Sequence, residues 1–160
     1  MKTKTAILSK LIFVSTFVLF GLFILSSCEK KSTTDNRPYT LTGDAAGTQM
    51  VPPVAGNGTA TFNGTYDPST HTMTYTSNWN GLSGGATGAG FYTGGAGSVG
   101  TSVGTPWTLP ADTTGTGTYS GTMTLTDAQA SQLTAGNWYY TMNTAANPSG
   151  EIRGQIVATR

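Results

Sequence analysis

The chain is poor in cysteine, histidine and charge. It has one cysteine and one histidine among 160 residues, and Asp, Glu, Lys and Arg together make up 9% of it. A single cysteine, Cys28, excludes an internal disulfide framework. The lone His71 has no ligand partner at a suitable spacing, so no metal site is predicted, because zinc needs three or four converging ligands. From residue 38 onward the only cations are Arg153 and Arg160, so we expect no nucleic-acid partner and no polybasic membrane patch.

Long hydrophobic runs are also scarce, and the one that exists lies near the N-terminus. Residues 11–25 are almost wholly apolar and follow Lys2, Lys4 and Lys10. This run is shorter than the roughly 20 residues that a membrane-spanning helix needs. A basic head followed by a short apolar stretch is typical of a secretory signal. The run ends in Leu25-Ser26-Ser27-Cys28, which closely resembles the lipobox of bacterial lipoproteins.

These features divide the chain into three predicted parts. Residues 1–27 form a lipoprotein signal peptide, residues 28–37 a flexible tether, and residues 38–160 a domain. The tether is polar and has no apolar periodicity. Cys28 is the predicted lipidation site, so the predicted partner is a membrane, reached through the lipid. The expected location is the cell envelope, at the outer membrane and facing the periplasm or the surface. The alternative is a plain signal peptide, or an uncleaved anchor with a chance cysteine.

The rest of the chain alternates between apolar and polar residues with a period of two. The alternating runs cover residues 59–66, 71–79, 117–125, 138–144 and 151–158. Threonine on the polar side predicts a sheet with one buried face. The first two runs flank a turn at residues 67–70 and predict a hairpin. Short strands between glycine-rich turns predict a sandwich or barrel, whereas residues 81–104 are too rich in glycine to decide between loop and strand.

One short helix interrupts this pattern. Thr126-Asp127-Ala128-Gln129 fits a capping box, in which Thr126 caps the helix and Gln129 reaches back. Ala135-Gly136 predicts its end. Because the helix is too short to be stable alone, we expect it to pack on the sheet.

Two motifs that suggest chemistry lack the residues that the chemistry requires. Gly81-Leu82-Ser83-Gly84-Gly85 matches the nucleophile elbow of serine hydrolases, but His71 precedes the serine and no histidine follows it. Residues 95–100 match a dinucleotide fingerprint without a following helix to bind the pyrophosphate. No catalytic residue and no cofactor is therefore predicted, and the chain is expected not to be an enzyme.

Three blocks, in order, resemble the CHRD domain, a repeat named after chordin that is also found in many bacterial secreted proteins. The blocks are residues 47–54 with Gly58-Thr59-Ala60, residues 124–139, and residues 147–156. The resemblance covers residues 39–157, and the third block is the most specific. It implies an all-β fold, an immunoglobulin-like Greek-key β-sandwich with one short helix. The structural motif residues taken from these blocks are Pro52, Pro53, Gly150, Glu151, Arg153 and Gly154.

The sequence departs from the family pattern at its histidines. The family usually carries His-Ile-His-x-Gly in its middle, where this chain has Gly90-Phe91-Tyr92-Thr93-Gly94. The family also has His-Thr shortly before the Asn-Pro turn, where this chain has Asn143-Thr144. Since glycine cannot ligate a metal and an amide oxygen is a poor substitute for imidazole, family-level metal binding is not transferred.

The third block carries the most informative residues of the domain. Glu151 and Arg153 are two apart on a strand and project from the same face, so they are expected to pair with each other or with the backbone. This would fix a strand edge or the turn at residues 147–150. On the other face, Ile152 and Ile156 are expected in the core. Gly154 between them leaves room for a bulky neighbour such as Trp138 or Tyr140.

Three functional hypotheses remain open. The leading one is a non-catalytic envelope module that binds a protein or matrix partner or plays a structural part. The second is a carbohydrate-binding module, which needs exposed coplanar aromatic rings; Trp79, Trp107 and Tyr139 are the candidate ligand contacts. The third is a metal-dependent envelope enzyme, which the missing histidines disfavour.

Overall fold

Eight antiparallel β-strands join in one curled sheet in the computed structural model, which describes residues 35–111 and 114–160. The strands are β1 (Tyr39–Ala46), β2 (Thr59–Asp67), β3 (Thr72–Asn80), β4 (Ala86–Thr93), β5 (Ser102–Val103), β6 (Gly117–Thr124), β7 (Trp138–Thr144) and β8 (Ile152–Thr159). Their order in the sheet is β5-β4-β7-β8-β1-β2-β3-β6. This confirms the all-β class with one short helix, whereas the immunoglobulin-like Greek-key arrangement stays a prediction.

Several predicted features lie outside the described residues. These are the signal peptide at residues 1–27, the lipidation site Cys28 and most of the tether at residues 28–37. The described chain from Asp35 to Arg160 forms one compact unit. None of its helices has the length and apolar character needed to cross a membrane.

The predicted hairpin is confirmed. β2 and β3 pair over their whole length, from Thr59 opposite Asn80 to Asp67 opposite Thr72. In the connecting turn, the Asp67 carboxylate accepts a hydrogen bond from the Ser69 amide at 2.8 Å, which is the local bond that favours aspartate in turns. His71 closes the turn with a φ of 55°.

Two parts of the sheet were not predicted as strands. β1 lies in the middle of the sheet and pairs with β2 on one side and β8 on the other. Within residues 81–104, which the sequence left open, β4 pairs with β7, and the two-residue β5 pairs with the end of β4. Gly88 and Gly90 hide the alternation of β4. The strand forms by pairing with β7, which is distant in the sequence.

The core lies inside the curl of the sheet and is rich in aromatic rings. Tyr75 on β3 contacts Phe91 on β4, with ring centroids 4.9 Å apart. Trp107 from the loop after β5 lies 5.2 Å from Phe91. Phe62 and Tyr140 meet at 5.3 Å. Since β3 and β4 are remote in the strand order, these contacts require the sheet to curl until its inner face encloses the rings.

The capping box and the helix are confirmed. Helix α1 (Asp127–Thr134) begins where the Gln129 amide donates to Thr126 Oγ1 at 3.3 Å and the Thr126 amide donates to Gln129 Oε1 at 2.9 Å. Leu133 is fully buried, and the helix packs on β8. Gly136, with a φ of 74°, follows the helix end, as a left-handed cap requires.

The inner face of β8 matches its prediction. Ile152 and Ile156 are buried in the core. A Cβ on Gly154 would lie 2.5 Å from Tyr140 Cε1 and 3.0 Å from the Ala45 Cβ. Glycine is therefore needed here for the Tyr140 ring to lie against the strand, and Tyr140 is one of the two bulky neighbours that were expected.

Candidate functional site

A buried carboxylate stands at the start of β8 among hydrogen-bond donors from three segments. Glu151 is 3% exposed. Its Oε1 accepts from the Ser83 amide at 2.7 Å. Its Oε2 accepts from Ser83 Oγ at 2.5 Å, Thr144 Oγ1 at 2.6 Å and Asn147 Nδ2 at 3.2 Å. Glu151 therefore joins the loop before β4, the end of β7 and the turn between β7 and β8.

These donors also set the charge state of the carboxylate. Burial by itself raises the pKa of Glu151, because it disfavours the ionised form. Hydrogen bonds from Ser83, Thr144 and Asn147 favour the ionised form more strongly, and the pKa is held below its usual value. The Glu151 side chain is thus an anion at neutral pH, and hydrogen bonds stabilise its charge.

Arg153, two residues further along β8, has different partners. Its Nη1 donates to the Ser98 carbonyl at 2.6 Å and its Nη2 donates to the Gly95 carbonyl at 2.8 Å. Its guanidinium carbon lies 3.5 Å from the centre of the Tyr139 ring, a cation–π contact. Of the two expected pairings, Arg153 makes the one with backbone, and it holds the loop between β4 and β5 against the outer face of β7 and β8.

Pro52, Pro53 and Gly150 of the motif lie outside the strands, in the loop after β1 and the turn before β8. Pro52 and Pro53 are exposed in the loop after β1, which closes where the Val54 amide donates to the Gly47 carbonyl at 2.9 Å. Gly150 is buried with a φ of 123°, and a Cβ there would lie 2.5 Å from Met50 Cε. The first and third motif blocks therefore meet on one face, where a cavity of about 130 Å³ is lined by Met50, Val51, Tyr92, Val99, Gly100, Tyr139, Thr141, Ser149 and Arg153.

The positions at which the family resemblance places histidines lie on the same outer face. Gly90 is opposite Thr141 in the β4–β7 pair, and Tyr92 is opposite Tyr139 with the rings stacked at 5.3 Å. Asn143 uses its Nδ2 to donate to the Pro148 carbonyl at 3.0 Å. Within residues 35–111 and 114–160, no group of three metal-ligating side chains converges.

The three aromatic residues marked as candidate ligand contacts are buried. Trp79 is 2% exposed, Trp107 5% and Tyr139 4%. Trp79 and Trp107 belong to the core. Tyr139 points outward but is covered by Arg153 and by the loop whose Gly100 amide donates to its hydroxyl at 3.1 Å. The expectation of an exposed aromatic platform from these residues is therefore wrong, because the curl of the sheet and the covering loops enclose them.

Ser83, the serine of the discounted nucleophile motif, has partners that hold it in place. Its hydroxyl bonds to Glu151 and lies 3.0 Å from Thr144 Oγ1. His71 lies instead beside Asp127, with Nδ1 at 3.4 Å from Oδ1. Ser83 therefore lacks a histidine partner among the described residues, and its role in this geometry is to satisfy the buried carboxylate.

A second surface stands out on the outer side of β1, β2, β3 and β6. We call it the hydroxyl face. It consists of Thr40, Thr42, Asp44, Thr59, Thr61, Asn63, Thr65, Thr74, Thr76, Asn78, Asn80, Thr118, Ser120 and Thr122. Strand register aligns these residues in rows across the sheet, such as Thr42, Asn63, Thr76 and Ser120. All but Thr76 are exposed.

Three furrows run between successive rows of this face. The first, of about 570 Å³, is lined by Asn63, Gly64, Thr65, Thr74, Tyr75, Thr76, Ser120, Gly121 and Thr122. The second, of about 380 Å³, is lined by Thr42, Gly43, Asp44, Thr61, Phe62, Asn63, Gln155 and Val157. The third, of about 550 Å³, is lined by Asp44, Ala45, Ala46, Gln49, Thr59, Ala60, Thr61, Asn78, Trp79 and Asn80. Hydroxyl and amide side chains form most of their walls, together with Asp44, Ala46 and Val157.

For the residues on β2, β3 and β6, the sequence showed only that they lie on the polar side of alternating strands. Threonine, serine or asparagine at every second position of 59–66, 71–79 and 117–125 was the available signal. Their alignment into rows depends on strand register, which a sequence pattern alone does not give.

Comparison with known proteins identifies the family of the chain. A family model for the CHRD domain matches residues 41–156. The chain belongs to the CHRD domain family. No curated protein and no solved structure matches it. The match runs from β1 to β8, so the CHRD domain includes Glu151, Arg153 and all of the hydroxyl face except Thr40. Membership of the family indicates an extracellular binding or structural module.

Proposed function

We propose that the chain is a lipid-anchored, non-catalytic CHRD module of the cell envelope that binds a partner through its exposed sheet face. One observation carries this proposal. Glu151 and Arg153, the charged residues of the family motif, bind the chain's own loops, which supports a scaffold role for the motif. The hydroxyl face, in contrast, is open to solvent over four strands.

The two ends of the described domain lie next to each other, which suits attachment through a tether at one end. Thr40 near the start of β1 pairs with Thr159 near the end of β8. Arg160 lies 3.8 Å from the centre of the Tyr39 ring and 3.1 Å from the Asp35 carboxylate. A tether from Cys28 would enter at this end. The seven residues from 28 to 34 would span at most roughly 23–25 Å if extended, enough to hold the domain clear of a membrane surface.

The anchor is tested by changing the predicted lipidation site in the full chain. Cys28→Ser should abolish labelling by radioactive palmitate and leave the protein as uncut precursor or release it from membranes. Ser27→Ala, which keeps a small residue before the cysteine, is the matched control and should behave like the wild type. Equal palmitate incorporation into the Cys28→Ser protein would refute the lipid anchor.

The scaffold role of the motif is tested separately. In the unlipidated Cys28→Ser protein, Arg153→Gln should lower the melting temperature, because the Ser98 and Gly95 carbonyls lose a charged donor. Retention on cell-envelope fragments, measured well below that temperature, should stay unchanged. A fully stable Arg153→Gln protein that no longer binds the fragments would make Arg153 a ligand-binding residue and contradict this role.

A further inference from the structure

The furrows of the hydroxyl face have the chemistry of a site for a neutral polyhydroxylated chain. We propose that this face binds a neutral polysaccharide, which lies along the furrows and exchanges hydrogen bonds with their walls. The inference rests on the proposed function as a binding module and names the class of its partner.

The wall residues of the first furrow can each donate and accept hydrogen bonds. One wall has Asn63, Thr76 and Ser120, and the other has Thr65, Thr74 and Thr122. A hydroxyl or an amide side chain offers a donor together with acceptor lone pairs. Sugar hydroxyls have the same dual capacity, so a glycan can satisfy the walls in many orientations.

Some of these hydroxyls are already held in position. Thr65 Oγ1 lies 3.0 Å from Thr74 Oγ1, and Thr76 Oγ1 lies 2.7 Å from Ser120 Oγ. Each of these cross-strand bonds leaves hydrogen-bonding capacity on both partners. Because the side chains are ordered before a ligand arrives, less conformational entropy is lost on binding.

The charge of the residues that line the furrows favours a neutral polymer over an acidic one as the ligand. No charged side chain lines the first furrow, and Asp44 is the charged residue of the other two. An acidic polysaccharide would meet a carboxylate and no cation there. A neutral polysaccharide needs no counter-charge, and its binding should be insensitive to salt.

The amino-acid composition of the hydroxyl face also favours a glycan over a protein as the partner. Interfaces between proteins depend on a few Trp, Tyr, Arg or Met anchors. The outward residues of β1, β2, β3 and β6 include none of these types, and the largest apolar side chain beside them is Val157, which is 50% exposed. The regular rows suit a repeating polymer instead, since several weak contacts in register add to a useful affinity.

The test uses the unlipidated Cys28→Ser protein and pull-down with insoluble cellulose, chitin and curdlan, a neutral β-1,3-glucan. Calcium-alginate beads serve as the acidic comparison. At least one neutral polysaccharide should retain the protein, equally at low and high salt. Retention by none of the three, or retention by alginate alone with loss in salt, overturns the proposal.

The variants localise binding to the furrow. Thr74→Val combined with Thr122→Val removes two hydroxyls from one wall and keeps the β-branched shape that suits a strand. Affinity should fall at least about fivefold. Thr87→Val on β4, an exposed threonine that lines none of the three furrows, should bind like the parent.

Thermal melting shows whether each variant is folded. Thr61→Val, on the wall between the second and third furrows, is a second variant that should also weaken binding, so the result does not depend on the double variant alone. A folded Thr74→Val, Thr122→Val protein with full affinity overturns the proposal, as does equal loss in the Thr87→Val protein. If glycan binding fails while Cys28 still controls membrane attachment, the anchored module stands and the polysaccharide is rejected.

Discussion

Glu151 and Arg153 are both 3% exposed, yet they do not bond to each other. Each is surrounded by hydrogen-bond partners from the chain's own loops and turns. A buried charge is costly when it is unpaired, and hydrogen bonds to the charged form reduce that cost. Replacing either side chain should therefore disturb several segments at once.

The Glu151 carboxylate makes the free energy of unfolding depend on pH in the acidic range. Because the pKa of Glu151 is lowered in the folded state, its contribution is fully present above the unfolded-state pKa, near 4.5, and is lost as pH falls through the folded value. Glu151→Gln should cost about 1–3 kcal/mol of unfolding free energy at pH 7. That difference from the wild type should shrink as the pH is lowered to 3 in urea unfolding.

The control for this experiment is Asp44→Asn, which changes an exposed carboxylate. It should alter the unfolding free energy by less than about 0.5 kcal/mol. If the Glu151→Gln protein kept the same deficit at every pH, the ionised carboxylate would not be the source of the stabilisation.

For single residues, local sequence patterns predicted which side chains are buried. They did not predict hydrogen bonds between residues that are far apart in the sequence. Alternation alone placed Ile152 and Ile156 in the core and left space at Gly154. The sequence could not show that Ser83 donates to Glu151, because the two residues are 68 positions apart and only the fold brings them together.

Among the elements, helix α1 has ends that are fixed by local bonds. The reciprocal bonds of Thr126 and Gln129 start it, and Leu133 attaches it to the core. Such signals lie within a few residues of each other, so the sequence predicted this helix and the β2–β3 hairpin. β1 and β4 form through pairing with strands far away in the chain, and β4 has glycines that conceal its pattern.

The cap gives a prediction for this element. Thr126→Ala should lower the unfolding free energy by about 1 kcal/mol, because the Gln129 amide loses its acceptor. Ser131→Ala, at an exposed position in the same helix, removes a similar hydroxyl and should leave stability unchanged or slightly higher, since alanine favours helix. Thermal unfolding of both variants provides the comparison. Equal losses in the two proteins would mean that the hydroxyl of Thr126 does not act as a cap.

For the whole molecule, β1 is the connection on which the sheet depends. It is hydrogen-bonded to β8 on one side and β2 on the other, and so it joins the strands β5-β4-β7-β8 to the strands β2-β3-β6. The aromatic core also draws side chains from both groups. We therefore expect the described domain to unfold in one cooperative step.

A proline in the middle of β1 tests this expectation. Thr42 is paired with Asn63 on β2 and Val157 on β8, and its side chain is exposed. Thr42→Pro removes a ladder hydrogen bond from a central strand and should cost on the order of 3 kcal/mol or more. Thr42→Val keeps the backbone bond and the β-branched shape, and it should be close to neutral.

In urea, fluorescence from the buried tryptophans and far-ultraviolet circular dichroism should change together at a lower midpoint in the proline variant. Separate midpoints for the two signals would show that the two groups of strands unfold independently, and that β1 does not couple them.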